Sequence, residues 1–305
     1  YLFDQVNIPA NTTIEGSGPG TVIVQSVPGQ PTFMSMATSN ILGKLTADLA
    51  RGSTSISINN KFGLAAGDII TVTDDYSYAA TDATYKSGEQ LRVASSTDTT
   101  ITLDSPVRGS FSNSAGSYTV GNGAKLTRLN TIKNITLRNL AFEGHPSGTA
   151  QILKFQGVEG LVMDGVSTIS GQAGFCVMDR CRDVDIARFG VHGLIDNWVS
   201  GRPGYGFVLR NACHNVRIHN GVNTMSRHAV TTIGGAEGVP RNLIFSGILS
   251  TANCAAGIDT HSAGEGILIT ECIIENAYIG ITVRARNITV RNNDIRATTN
   301  NGILI

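Results

Sequence analysis

The chain has no excess charge of either sign. Its 305 residues include 23 Lys and Arg against 23 Asp and Glu, so the formal net charge is zero. A dedicated nucleic-acid binder normally shows a basic excess, so no nucleic-acid partner is expected. No apolar run approaches the roughly 20 residues that a membrane helix needs, so no membrane insertion is expected, and no secretory leader is visible. Aromatics are few, with a single Trp. The five cysteines, Cys176, Cys181, Cys213, Cys254 and Cys272, are odd in number and widely spaced. They form neither a disulfide framework nor a CxxC metal knuckle, and they read as buried apolar thiols made in a reducing compartment. Walker loop, GxSxG elbow, HExxH and EF-hand patterns are absent, so no cofactor and no metal are expected.

What is present is glycine (35 residues) together with much Asn, Thr, Ser, Ile and Val. That composition reads as all-β with many turns. A phrase recurs through the second half: "NITLRNLAFEG", "GLVMDGVSTIS", "DVDIARFGVHG", "NVRIHNGVNTM", "NLIFSGILSTA", "GILITECIIEN" and "NITVRNNDIRA". Each opens on Asn, Gly or Asp and then alternates apolar and polar residues. The first apolar positions are Ile135, Leu161, Val184, Val216, Leu243, Ile267 and Ile288, with differences of 26, 23, 32, 27, 24 and 21. A second strand-like segment lies between phrases, as in "GFCVMD", "GFVLRN", "AVTTIG" and "GIDTH". Alternation with a period near 21–24 residues, occasionally enlarged, marks a solenoid of short strands whose inner faces are buried only by stacking. The fold expected is a right-handed parallel β-helix.

The first 130 residues differ. "VNIPANTTIEGSGPGTVIVQS" suits an opening coil, whereas "LARGSTSISINNKFGLAAGDIITVTDD" and "GEQLRVASSTDTTITLDSPVRGSF" have hairpin character. The expected organisation is a first coil region over 1–42, an inserted β subdomain over 43–122, and the main β-helix over 123–305. Tyr1 is not a natural start and "NNGILI" stops on the first strand of another coil, so a longer native chain is expected.

Setting the second strands in register by Gly174, Gly206, Ala229, Gly257 and Gly280 turns Phe175, Phe207, Val230, Ile258 and Ile281 inward. Cys176, Val208, Thr231, Asp259 and Thr282 then face outward, followed by Met178, Arg210, Ile233, His261 and Arg284. Asp259 and His261 would lie about 7 Å apart on one outer face. Neighbouring rungs, about 4.8 Å away, would bring Arg227 and His228 from "SRHAV" and Arg284 beside them. The long interval from Val184 to Val216 locates a loop, "HGLIDNWVSGRPGYG", with Asp196, Trp198 and Tyr205. This loop and the "IGGAEGVPR" turn, with Glu237 and Arg241, would wall the groove. Asp179, Arg180, Arg182 and Asp183 read as a solvated turn, and His145, His192, His214 and His219 as singletons.

The candidate catalytic residues are therefore His228, Asp259 and His261. Arg227, Arg210, Arg284, Trp198, Asp196, Tyr205 and Glu237 are candidates for substrate binding. Three chemistries suit the set. Glycoside hydrolysis needs a second carboxylate from Asp196, Glu237 or Glu265. β-Elimination needs a base and cations that stabilise an enolate. Phosphodiester cleavage uses imidazoles and arginines in similar roles.

These periods, together with "IPANTTIEGSGPGTVI", the inserted hairpins and "RHAV…GVPRNLIFSGILSTANCAAGIDTH", resemble the pectate-lyase-like β-helix family, in particular the tailspike and tail-appendage proteins of tailed bacteriophages. The resemblance covers nearly the whole chain. It implies a homotrimer in a virion tail, made in the host cytoplasm. It also implies a bacterial surface polysaccharide or teichoic-acid partner and depolymerase activity. The clustered aspartates with which pectate lyases bind calcium are absent, so a calcium-dependent lyase mechanism is not implied.

Overall fold

A computed structural model describes residues 1–18, 20–60, 62–79, 82–111, 124–195 and 203–305. Its described elements are all strands. Each sequence phrase opens on a backbone bend. Asn134, Gly160, Asp183, Asn215, Asn242, Gly266 and Asn287, one per period, have φ between 52° and 77°. Gly, Asn and Asp adopt this left-handed region at least cost, which is why the repeat begins on them.

Beyond the bend the apolar positions fall into one column. Ile135 pairs with Leu161, Val184 with Val216, Val216 with Leu243, Leu243 with Ile267 and Ile267 with Ile288, all in parallel register. These strands belong to one 15-stranded sheet. A second sheet stacks nine strands in chain order, from Val6–Asn7 through Gly174–Asp179, Tyr205–Arg210, Val230–Ile233 and Ala256–Asp259 to Asn301–Leu304. The chain is thus a parallel β-helix. Its buried column includes Phe33, Phe142, Phe175, Phe207 and Phe189, whose successive ring centroids lie 4.9–6.2 Å apart. Edge-on and tilted rings at such spacing fill the core with favourable quadrupole contacts.

One pairing differs from the sequence reading. Gly174 pairs with Tyr205 and Cys176 with Phe207, one residue out of the expected register. Cys176 and Met178 therefore point inward and are fully buried, while Val177 and Asp179 take the outer positions. The slip exchanges the faces from Cys176 onward, while Phe175, next to the positive-φ Gly174, also stays in the core. Of the five thiols, Cys254 is exposed and the other four are buried.

The inserted unit is a six-stranded antiparallel sheet with its own core, including Ile56, Ile70, Leu91 and Leu126. Its flanking strands, Thr38–Lys44 and Lys125–Asn130, reach a few residues beyond the expected 43–122 on each side. The insertion leaves the β-helix at the corner after Phe33–Met36, where later coils turn through only one to seven residues. It therefore lies along the column of those corners. Gln90 Nε2 donates to Arg180 O (2.6 Å), Lys86 N to Gly235 O (2.9 Å) and the Tyr78 hydroxyl to Gly264 O (2.6 Å). Arg92 bridges to Glu159 (2.8 Å) and Asp183 (2.6 Å). Arg180 and Arg182, expected in a solvated turn, are buried beneath this sheet.

Candidate functional site: a carboxylate held between two imidazoles and an arginine

The strand Ala256–Asp259 places Ile258 in the core and Asp259 on the outer face, yet Asp259 is only 4% exposed. Its cover comes from its own chain and both neighbouring rungs. After Thr260 the backbone bends left-handed at His261 (φ 32°) and Ser262 (φ 51°). The extended spacing of about 7 Å expected between Asp259 and His261 therefore does not form. The bend folds His261 back until its Nε2 lies 2.8 Å from Asp259 Oδ2. The imidazole comes in off its N–H axis, and Nε2 has no hydrogen-bond partner of good geometry. The His261 backbone N–H donates to Asp259 Oδ1 (3.1 Å). Non-glycine residues in this conformation are uncommon and strained, and such strain concentrates at functional sites.

The rung above supplies Arg284, whose Nη2 donates to both Asp259 oxygens at 2.6 Å. The rung below supplies His228, 3% exposed, with Nε2 3.4 Å from Oδ2. His228 Nδ1 lies 2.8 Å from Ala256 O and 3.2 Å from Ala256 N, so the ring is fixed to the adjacent strand in either tautomer. Tyr205 stacks on His228 with centroids 5.3 Å apart, and His261 stands edge-on to both rings.

Electrostatics sort these groups. Burial alone would raise the Asp259 carboxyl; the His261, His228 and Arg284 contacts outweigh it and hold the group well below the usual carboxylate range. Burial pushes His228 down to about 4, against the attraction of Asp259, so this imidazole is neutral at neutral pH. The more exposed side chains, His261 (22%) and Arg284 (41%), face the groove. The groove has a volume of about 290 Å3, and Arg227, Tyr278, Ile279 and Leu304 also line it.

Asp259, His228, His261, Arg284, Arg227 and Tyr205 thus converge. Glu237 does not: its Oε2 lies 2.5 Å from Arg180 Nη1, under the insert. Glu265 pairs with Arg241 and Asn287, also away from the groove. Arg210 is exposed at the end of its strand and does not line the groove. Asp196 and Trp198 lie outside the described residues. Sequence reasoning missed Tyr278, which lines the groove, and Tyr85 of the insert, whose ring packs against Gly234. Tyr278 stood one residue before an aligned strand in "AYIGITV" and was readable from the repeat. Tyr85 arrives by long-range docking and left no local signal.

Donor atoms of His228, Asp259 and His261 lie within 4.8 Å of one another, a spacing compatible with a metal ion. The guanidinium already bonded to both carboxylate oxygens works against a cation there.

No protein-family model matches the sequence, and no curated protein matches it. Solved structures do. The tailspike gp61 of Pseudomonas phage phi297 matches with a TM-score of 0.79 at 19% identity, covering 96% of this chain and 48% of that one. The chain shares the phage-tailspike fold. The Gp54 tailspike of Acinetobacter baumannii bacteriophage AP22, solved in complex with A. baumannii capsular saccharide, gives 0.76 at 17% identity over 97% of this chain and 51% of that one. The tailspike gp49 from Pseudomonas phage LKA1 gives 0.75 at 17%, over 97% and 49%. The chain spans about half the length of these tailspikes.

Proposed function

We propose that the protein is a tailspike-type depolymerase that cleaves an acidic bacterial surface polysaccharide by β-elimination in the Asp259 groove. It would act as a homotrimer in a virion tail at the bacterial surface. The tailspike fold supports the class of partner. The observation that carries the chemistry is the composition of the groove. Asp259 is the one carboxylate lining it among the described residues, and both its oxygens are engaged by Arg284. A hydrolase needs two carboxyl groups flanking the bond. The groove offers imidazoles and arginines instead.

In this reading His261 takes the proton α to a uronate carboxylate. The C–H electrons form the new double bond, and the glycosidic C–O bond breaks. The imidazolium then returns the proton to the departing oxygen, so atoms and charge balance. Asp259 fixes the His261 turn through the backbone N–H and stabilises the charged form of the ring. Arg227 and Arg284 stabilise the enolate charge. Tyr278 offers a face to a sugar ring.

The test is incubation with acidic capsular polysaccharides and with teichoic acids, with and without a chelator. Chain length, the ultraviolet absorbance of unsaturated uronate, and phosphomonoester release are followed. Shortening with the absorbance, insensitive to chelator and lost in His261→Ala, is expected. Shortening without it would redirect the mechanism to hydrolysis, or to phosphodiester cleavage where phosphomonoester appears. Binding without shortening would make the groove a recognition surface.

A further inference from the structure

A second cleft lies on the other flank of the insert, at the first residues of the long-sheet strands. There one rung position runs Glu159, Arg182, His214, Arg241, Glu265, Arg286 in successive parallel pairings. Arg182, His214 and Arg241 are thus three consecutive basic side chains about 4.8 Å apart, with no acid between them. The inserted sheet roofs this ladder and leaves a cleft of about 600 Å3, within the range of small-molecule sites (about 300–1,000 Å3). Its walls include Arg51, Arg108, Arg182 and His214, with Glu89 and Asp104. An adjoining cavity of about 330 Å3 shares Arg51 and Arg108 and continues to Arg241 and Arg286.

The acids in the cleft are committed. Glu89 accepts from the backbone N–H groups of Arg108 (2.9 Å) and Gly109 (3.0 Å). Asp104 pairs with Arg92 (3.4 Å). The bases are less so. Arg182 is 7% exposed; its Nη1 donates to Gln90 O (3.5 Å) and its Nε is within ion-pair distance of Asp183 (3.7 Å), but Nε makes no hydrogen bond. His214 Nδ1 likewise has no partner. Among the described residues, the guanidinium groups of Arg51 and Arg108 make no ion pair within 4.0 Å. Buried donors of native proteins are nearly always satisfied, so unpaired ones lining a roomy cavity mark the place of a missing acceptor. Planar guanidinium forks converging from two walls match the oxygens of a carboxylate or phosphate.

We propose that this cleft binds the oxyanion of a small acidic sugar, carboxylate or phosphate, gripped between Arg182 and His214 of the β-helix and Arg51 and Arg108 of the insert. The site is separate from the Asp259 groove and stands whether or not that groove cleaves glycan.

Titration calorimetry on the full chain tests it, with inorganic phosphate and with glucuronate as probes and glucose as the neutral control. Saturable binding of at least one oxyanion, with none of glucose, is expected. The Arg51→Gln/Arg108→Gln double variant alters only exposed rim residues. It should weaken that binding at least about tenfold, as loss of charge-assisted hydrogen bonds does. Asp259→Asn should leave the binding within about twofold, because additivity holds between independent sites. Preference for phosphate or for glucuronate names the source of the oxyanion. Absence of saturable binding by both probes, or binding undiminished in the double variant, would overturn the proposal.

Discussion

Two histidines, His228 buried and His214 half-buried, sit on opposite flanks of the inserted sheet, and their neighbours give them opposite surroundings. His228 faces the Asp259 carboxylate, which resists the downward pull of burial, and it titrates at about 4. His214 faces Arg182, Arg108, Arg241 and Arg92, which add to the downward pull of burial, and it titrates at about 3. Burial makes both rings neutral. The neighbours decide what each ring is ready for: His228 belongs to a cluster organised around a negative charge, and His214 to one in which arginines dominate.

The largest effect should come from removing the charge that organises the first cluster. Asp259→Asn leaves His261 unoriented and its imidazolium unsupported. Glycan cleavage is expected to fall by about 100- to 10,000-fold, as for loss of general acid–base catalysis. Because the native Asp259 carboxyl is held below its unfolded value, the stability it confers is fully present above the ordinary carboxylate range. It is lost progressively as pH falls below that range towards the depressed native value. Urea midpoints across the acid limb should therefore fall less steeply in Asp259→Asn than in the parent protein. Equal slopes would show that the carboxylate is not stabilised by its partners.

The second cluster predicts a pH effect of opposite origin. His214 binds its proton more weakly folded than unfolded, so the unfolded chain gains protons first as pH falls below its ordinary value near 6.5. Stability should drop through the window from about 6.5 down to about 3 and be unaffected above it. Between about pH 7 and about pH 5 the parent protein should lose about 1–2 kcal/mol more than His214→Gln, read from urea unfolding. Saturating oxyanion in the cleft should shrink that difference, because an anion favours the charged imidazole.

The contrast between the two flanks also shows what a sequence discloses. The bends on Asn, Gly and Asp recur at every period, so the solenoid and the column from Ile135 to Ile288 were legible. Register was legible from Tyr205–Arg210 onward, where Phe207, Val230, Ile258 and Ile281 align. It failed at Gly174, where two adjacent residues, Phe175 and Cys176, both enter the core and strict alternation breaks. The Asp259, His228 and Arg284 contacts follow from that register. His261 was assigned to the right face, but its fold back onto Asp259 depends on a left-handed turn that the period-2 strand pattern of "GIDTH" did not announce. The His214 cleft was not legible. His214 and Arg182 looked like an isolated imidazole and a solvated turn because their roof comes from residues far away in the sequence, Gln90 and Arg108 among them.

That roof can be loosened at one point. A Cβ added at Gly88 would fall inside contact distance of the Glu237 carbonyl and the Gly238 backbone, which have no flexible end to move. Gly88→Ala should cost about 1–3 kcal/mol, as overpacking does. It should also weaken oxyanion binding in the His214 cleft more than it changes the Asp259 groove, whose immediate lining comes from the β-helix itself. Calorimetry and cleavage rate on the same preparation separate the two effects.

The smallest change sharpens the Asp259 side alone. Tyr278 is half exposed, lines that groove and packs little of the core. Tyr278→Ala should leave stability within about 0.5 kcal/mol, as surface substitutions do. It should raise KM several-fold with kcat little changed, because a ring that stacks equally on ground and transition states contributes uniform binding. A fall in kcat at constant KM would instead place the phenol in the chemical step, as the donor that protonates the departing oxygen, and relieve His261 of that second duty.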